Sequence, residues 1–398
     1  MPSDSASTSL PLPRKAGALT FSAIFALESL VRSLNSTVVS LQAYDLLGSS
    51  QKISELSTSV SLSVLAATLL LPYVLGRLRR RWAYSLGIAL LVAASLALAS
   101  FTLTGQVAGM FLRNCGAAVL NITLSLYILD HFKRHELARV EPLRLSLSTF
   151  SWMVGPAAGI WLYSTFGPAA TQAAAIVAAG ALFGLFWYLR LSDRTTLPSG
   201  TLQKFNPLAN VRRFATQPRL RLAWLIAFGR SCFWSGFFIY GPLLIVEGGL
   251  SKQFGGLMIS ASQAVLLLAY VSGRIAQRHG VRVVIALSFA GSAAACLAAG
   301  IAGKSAPYMA AFLLLVASVG ASALDGVGGI PFLRAVKPHD RQPMAAVYRT
   351  YIDFSELIPS FVFVFALSYF EIGSVFIILA GALAVIGLVS WKYLPRSM

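Results

Sequence analysis

Tyr270 to Arg282 reads Y-V-S-G-R-I-A-Q-R-H-G-V-R, and its first half has a counterpart far upstream, where Tyr73 to Leu78 reads Y-V-L-G-R-L. Tyr-Val-x-Gly-Arg followed by a branched apolar residue thus occurs twice. Gly76 and Gly273 stand 197 positions apart, half of a 398-residue chain. Each copy closes an apolar run of about twenty residues, 56–76 and 254–273, and opens a short basic connection. Gly ending a helix with Arg just past it suits the point where a chain leaves hydrocarbon and turns back. The spacing predicts a parallel internal repeat of two six-helix bundles.

Composition agrees with that reading. Hydrophobic residues make up 57% of the chain, charged residues 12%, and the mean hydropathy is +0.72. Such a balance suits a bilayer rather than water. A net charge of +18 would suggest nucleic acid in a soluble chain, but the placement of the charge argues against a nucleic-acid partner. Apolar runs predict twelve helices, roughly at 17–43, 54–76, 83–103, 106–130, 144–166, 169–190, 221–246, 254–276, 283–303, 306–333, 344–370 and 373–393. On that reading 26 of the 32 Lys and Arg fall on the side of the termini, and only Lys52, Lys252 and Lys304 on the other. The positive-inside rule then puts both termini in the cytoplasm.

The expected organisation is an all-α membrane protein. A disordered tail at 1–16 precedes a six-helix bundle at 17–190, a linker at 191–220, a second bundle at 221–393 and a short tail at 394–398. Arg14 and Lys15 before an apolar run mimic a signal peptide, but Glu28 and Arg32 inside the run favour an uncleaved first helix. In the linker, Asn206 and Pro207 can start a short helix with Leu208, Val211 and Phe214 on one face and Arg212 and Arg213 opposite. Such a helix should lie on the anionic cytoplasmic leaflet. Cys115, Cys232 and Cys296 lie far apart in apolar helices, and His131, His135, His279 and His339 lie in connections, so neither a disulfide framework nor a metal site is expected. No cofactor is expected either. Nothing demands an oligomer, so a monomer is the expectation, and an Ala- and Leu-rich chain without a luminal domain fits a bacterial inner membrane.

Ionisable residues within the apolar runs are the candidate functional groups, because each costs roughly 2.5–3.5 kcal/mol unless it faces protein or a wet cavity. Glu28 and Arg32 lie four apart on one helix face, either as a self-neutralising pair or as the lining of a proton or substrate site. Arg113 in helix four needs an anion, which is either Glu28 or substrate. Arg230 in helix seven stands among Phe228, Phe233, Trp234, Phe237, Phe238 and Tyr240, a density that suits an apolar ligand or plain packing. Trp234, Phe237 and Trp152 of helix five join the three arginines as candidate substrate contacts.

Asp325 lies in A-L-D-G-V-G-G-I-P, where Gly326, Gly328, Gly329 and Pro331 disfavour a continuous helix and leave either carbonyls for a cation or a hinge. Helix eleven carries Arg349, Asp353 and Glu356 on one side, and its two carboxylates make a place where a proton can be held. The proton-site candidates are therefore Glu28, Asp353, Glu356 and Asp325.

G-R-I-A-Q-R-H-G-V-R resembles the loop signature of the major facilitator superfamily, Gly-x-x-x-Asp-Arg-x-Gly-Arg, found between the second and third helices of each half. Gln277 stands at the family's Asp, and the first copy, around Arg77, lacks both the Asp and the second Gly. F-L-R-N-C-G-A-A around Arg113 is similar to the family's fourth-helix pattern. Ser151-Trp-Met-Val-Gly155-Pro156-Ala-Ala-Gly159 resembles its antiporter pattern, with Ser151 and Ile160 in place of the outer glycines. Gly155 and Gly159 let a neighbouring helix come close, and Pro156 bends its own.

The resemblance implies gating or structural roles for Gly76, Arg77, Gly273, Arg274, Arg278 and Gly280, and a central cavity lined by helices one, four, seven and ten. Two transport readings follow. One is a proton-coupled exporter of a small organic solute, with a carboxylate among Glu28, Asp353 and Glu356 binding the proton. The other is an importer of an anionic metabolite held by Arg32, Arg113 and Arg230. An enzyme is disfavoured, since no His, no paired nucleophile and base, and no nucleotide loop lies in the apolar runs.

Overall fold

The computed structural model describes residues 18–75, 77–131, 134–189, 207–336 and 341–395. The expected tail, Asn206, most of the linker and Gly76 lie outside the described residues. The rest folds as twelve spans in two six-helix bundles. Eight helices are long and apolar enough to cross a bilayer by themselves: Arg80–Ala99, Leu103–Ser125, Pro168–Tyr188, Pro218–Glu247, Val281–Ser305, Pro307–Ala335, Tyr351–Tyr369 and Gly373–Tyr393.

The other four spans are broken or polar, and the breaks have local causes. The first span runs as Ala18–Leu34 and resumes as Val38–Leu47 after a turn at 35–37, where Asn35, Ser36 and Thr37 compete with the helical backbone for hydrogen bonds. The second, Ser50–Leu75, is rich in Ser. The fifth, Arg134–Phe166, opens in a charged run. The eighth divides at a three-residue 3₁₀ turn, Leu266–Leu268, into Lys252–Val265 and Ala269–His279. In the tenth span Pro307–Val327 stops at Gly328 and a short helix, Ile330–Ala335, follows, as the Gly-rich run suggested.

The short helix Pro207–Ala215 forms before the seventh span. Its Phe214 is buried with Leu220, Ala223, Phe332 and Met344, so it packs on the ends of the second bundle's own helices, with Arg212 and Arg213 exposed.

Each bundle has its own apolar core. In the first, Phe21, Ile24, Tyr84, Leu120, Tyr127 and Phe186 pack together. In the second, Phe233, Phe237, Phe289, Leu314, Phe363 and Phe376 do. The second core continues into the first bundle through Val38, Leu41, Ala43, Ile53, Ile160 and Tyr163. All six lie toward the side opposite the termini, which is where the bundles close on each other.

Hydrogen bonds follow the same asymmetry. On that side Lys252 Nζ binds Asp45 at 2.6 Å, Tyr163 donates to Asp45 at 2.5 Å, Ser50 pairs with Glu247, and Ser54 meets the Tyr240 hydroxyl at 2.6 Å. The eighth span touches the fifth through its Lys252–Val265 segment, while Ala269–His279 packs instead on the ninth and tenth spans of its own bundle. Among the described residues, the contacts that join the two bundles therefore gather on the side opposite the termini.

Candidate functional site

The first and fifth spans are held together by groups that the sequence pattern names individually. Ser33 donates to the Ser151 carbonyl and Ser151 to the Ala26 carbonyl, each at 2.8 Å. A Cβ at Gly155 would run into Ser33, and one at Gly159 into the Leu34 carbonyl. Two glycines on one helix face thus seat the end of Ala18–Leu34 against the fifth span, at the point where the first span breaks. Thr171 donates to the Gly159 carbonyl at 2.8 Å and Gln172 to Asn35 Oδ1 at 2.8 Å, so the sixth span braces the same break. The fifth span continues through Pro156, and the next amide, Ala157 N, donates to Ser260 Oγ of the eighth span at 3.0 Å. The N–H that a proline disturbs is used to join the two bundles.

Beside this break, between the bundles, lies a cavity of about 320 Å³. The first span lines it with Arg32, Ser36 and Ser40, the second with Ser57 and Ser61, the fourth with Arg113 and Asn114, and the fifth with Trp152. The seventh adds Ser231, Trp234, Ser235 and Phe238, and the eleventh Ser355, Glu356 and Ser360. Three ionisable groups share it: Arg32 and Arg113 from one bundle, Glu356 from the other. Trp152 and Phe238 meet edge-on across the seam, with ring centroids 5.6 Å apart, and Trp234 lies tilted against Phe238 at 5.9 Å. The cavity has an aromatic wall spanning both bundles, a hydroxyl-rich lining and a charge of +1 when all three groups are ionised.

Behind the cavity on the first-bundle side, Glu28 is fully buried, with Arg32 Nη1 3.6 Å from its Oε1. Arg113 donates to the Arg32 carbonyl at 3.3 Å. Arg144, the first residue of the expected fifth span, lies well inside the helix, which starts at Arg134, ten residues earlier than expected. Its guanidinium lies 4.3 Å from the Phe25 ring and adds a positive field at Glu28.

On the other side, Arg230 pairs with Asp325, donates to the Tyr351 hydroxyl at 3.2 Å, and Trp234 Nε1 donates to the second Asp325 oxygen at 2.9 Å. A partly buried Arg–Asp pair with both carboxylate oxygens engaged is a rigid element. It reaches the cavity only through Trp234, whose indole it orients.

The structure therefore brings Arg32, Arg113, Glu356, Trp152 and Trp234 to one cavity and sets Glu28, Arg230 and Asp325 directly behind it. Phe237 is elsewhere. It is fully buried, stacked on Phe233 at 5.6 Å in the second bundle's core, and its neighbour Phe238 faces the cavity. Asp353 lies one helical turn from Glu356 toward the termini and is outside the cavity lining. Arg77 lies in the turn after the second span, and Gly280, at φ 90°, separates the eighth and ninth. Gly273, Arg274 and Arg278 instead lie inside the helix Ala269–His279, so Gly273 does not end a helix as expected; the three arginines are exposed.

Asp45, Glu247 and Lys252, which join the bundles on the far side, carried no signal in the sequence beyond lying at helix ends. Their partners are as much as 207 residues away.

The family model described as Major Facilitator Superfamily matches residues 21–269. Among solved structures, the chain superposes on a D-xylose-proton symporter with a TM-score of 0.75 at 15% identity, over 95% of this chain and 98% of that one. It superposes on the nucleoside transporter NupG, as a D323A mutant, with a TM-score of 0.73 at 15% identity, over 94% and 99%. A POT family transporter in complex with 5-aminolevulinic acid gives 0.73 at 13% identity, over 95% of both chains. Curated proteins offer no match to the sequence.

Proposed function

This chain belongs to the major facilitator superfamily and is a secondary transporter of small molecules, and on that premise we propose that it moves an organic solute bearing an anionic group together with protons. The observation that carries this reading is the convergence of Arg32, Arg113 and Glu356 on one cavity between the bundles. With Glu356 ionised, its charge opposes Arg113 and Arg32 from the facing bundle. With Glu356 protonated, both guanidiniums are available to a carboxylate or phosphate, which Arg binds in a fork geometry. Proton and anion then bind together rather than in competition, and by linkage each strengthens the other.

Loading of both removes the charge attraction between Glu356 on the eleventh span and Arg113 on the fourth, which biases how the bundles sit about the cavity. Trp152, Trp234 and Phe238 suit a flat or apolar portion of the solute, and the Arg230–Asp325 pair fixes Trp234.

Joint binding favours uptake down the proton gradient. Export by exchange, the direction suggested by Gly155-Pro156-x-x-Gly159, is the second reading. It holds if the solute is a cation that takes the place of the proton on Glu356. Proteoliposomes with a pH-sensitive dye inside separate the two. A carboxylate solute applied outside should acidify the lumen in the wild type and not in Glu356→Gln. Alkalinisation on adding an organic cation supports exchange instead, and proton movement that persists in Glu356→Gln removes Glu356 from either scheme.

A further inference from the structure

A second, larger cavity of about 510 Å³ lies on the side of the termini, wholly within the second bundle. It opens between the start of the seventh span, the short helix that ends the tenth and the end of the twelfth. Its walls are mostly apolar, with Leu222, Leu225 and Val389 among them, and its rim carries Arg219, Arg221 and Arg334, all exposed.

Charge at this rim is unbalanced. Arg219 and Arg221 stand in the first turn of the 30-residue helix Pro218–Glu247, which has no acidic residue in that turn. A helix N-terminus disfavours cations and favours an anion. Among the described residues none of the three arginines forms an ion pair. The site also has the depth of a bilayer surface, since Trp391 and Tyr393 at the end of the twelfth span are exposed, 49% and 63%, as interfacial aromatics are. Leu388, 70% exposed, continues the apolar surface into the membrane beside it.

An occupant must therefore put an anion among three guanidiniums at the membrane surface and an apolar body against the groove beneath. We propose that this cavity binds an anionic phospholipid of the leaflet on the side of the termini, its phosphate held by Arg219, Arg221 and Arg334 and an acyl chain running along Leu222, Leu225 and Val389. The site is separate from the cavity between the bundles and shares no residue with it. The lipid joins the ends of the seventh, tenth and twelfth spans, so it stabilises the second bundle from its edge.

The test is thermal unfolding of the purified full chain in a neutral detergent with dioleoyl phosphatidylglycerol, dioleoyl phosphatidylcholine or glycerol 3-phosphate added. Phosphatidylglycerol should raise the unfolding midpoint, while phosphatidylcholine and glycerol 3-phosphate should not. The triple variant Arg219→Gln, Arg221→Gln, Arg334→Gln should weaken the apparent affinity on the order of a hundredfold, and Arg212→Gln, an exposed arginine outside the cavity, should leave it unchanged. Val389→Trp, which fills the groove and keeps all three arginines, should also abolish the shift, and it serves where the triple variant does not fold. The proposal is overturned if phosphatidylglycerol shifts the triple or Val389→Trp variant as much as the wild type. An equal shift from glycerol 3-phosphate overturns it as well, since that ligand has the headgroup charge without the chain.

Discussion

Asp45 and Lys252 are 207 residues apart in sequence and 2.6 Å apart in space, one from each bundle, with the Tyr163 hydroxyl donating to the same carboxylate. They lie at the mouth that is shut, beside the contacts of the fifth and eighth spans. A partly exposed pair of this kind contributes about 1 kcal/mol or less, which is enough to bias a conformational equilibrium without locking it.

Asp45→Asn should therefore let the closed mouth part more often. With Ser57→Cys as a reporter in the central cavity, a membrane-impermeant maleimide applied from the Asp45 side should react roughly two- to fivefold faster when Asp45→Asn is also present. An unchanged rate would mean that the apolar contacts around Ile160 and Tyr163 hold this mouth unaided.

Gly159→Ala should destabilise the protein, by about 1–3 kcal/mol, because the added methyl meets the Leu34 carbonyl, a backbone atom that cannot swing away. Gly180, inside the sixth span, has nothing within 4 Å of the point a Cβ would occupy, and Gly180→Ala should be neutral or stabilising by up to about 1 kcal/mol. Thermal unfolding of the two variants side by side in one detergent gives the comparison. Equal midpoints would show that the first and fifth spans can move apart freely at this contact.

Removing one partner of Arg230–Asp325 leaves a largely buried charge, about one-fifth exposed, without its counter-ion. Arg230→Gln and Asp325→Asn should each cost about 3–5 kcal/mol, whereas the double variant should recover most of the loss. Expression level and unfolding midpoint report this. If the double variant transports and Arg230→Gln alone folds but does not, the pair acts in orientation of Trp234 and not in proton binding.

Binding of an anionic solute should tighten as pH falls, because protonation of Glu356 releases Arg113 and Arg32. In Glu356→Gln the affinity should be high and nearly independent of pH, and in Arg113→Gln it should be lost at every pH. Fluorescence of Trp152 and Trp234 during titration with a panel of carboxylates at several pH values supplies the measurement. A pH slope that survives in Glu356→Gln would move the linked proton to Glu28.

The architecture was readable because hydrocarbon imposes a length. Runs of about twenty apolar residues set the spans, and the repeat at Gly76 and Gly273 set the symmetry. Breaks were readable only where glycine and proline marked them. The tenth span's stop at Gly328 was visible in the sequence, but the turns at 35–37 and 266–268 were not, since Asn, Ser, Thr and Leu occupy intact helices as well.

The site was readable as a set of charges but not as a geometry. Phe237 and Phe238 are equivalent on a list of aromatics, and only their different azimuth around the seventh span sends one to the core and the other to the cavity. Arg144 reads as the start of the fifth span because charge usually marks a connection; the helix instead begins at Arg134 and runs on through Pro142, so Arg144 lies inside it. The gate pairs depend on contacts between residues two hundred positions apart, which no local spacing encodes.

The interruption at 35–37 gives the first span two allegiances. Ala18–Leu34 is fastened to the fifth span of its own bundle, while Val38, Leu41 and Ala43 beyond the turn are embedded in the apolar cluster of the opposite one. One stretch of chain is thus a member of both partners in any rocking movement, and the twist between them must collect in Asn35, Ser36 and Thr37. Substitutions at Asn35 and Thr37, which lie outside the cavity lining that Ser36 joins, would set how quickly the carrier cycles while leaving its choice of cargo untouched, so turnover and selectivity can be adjusted separately.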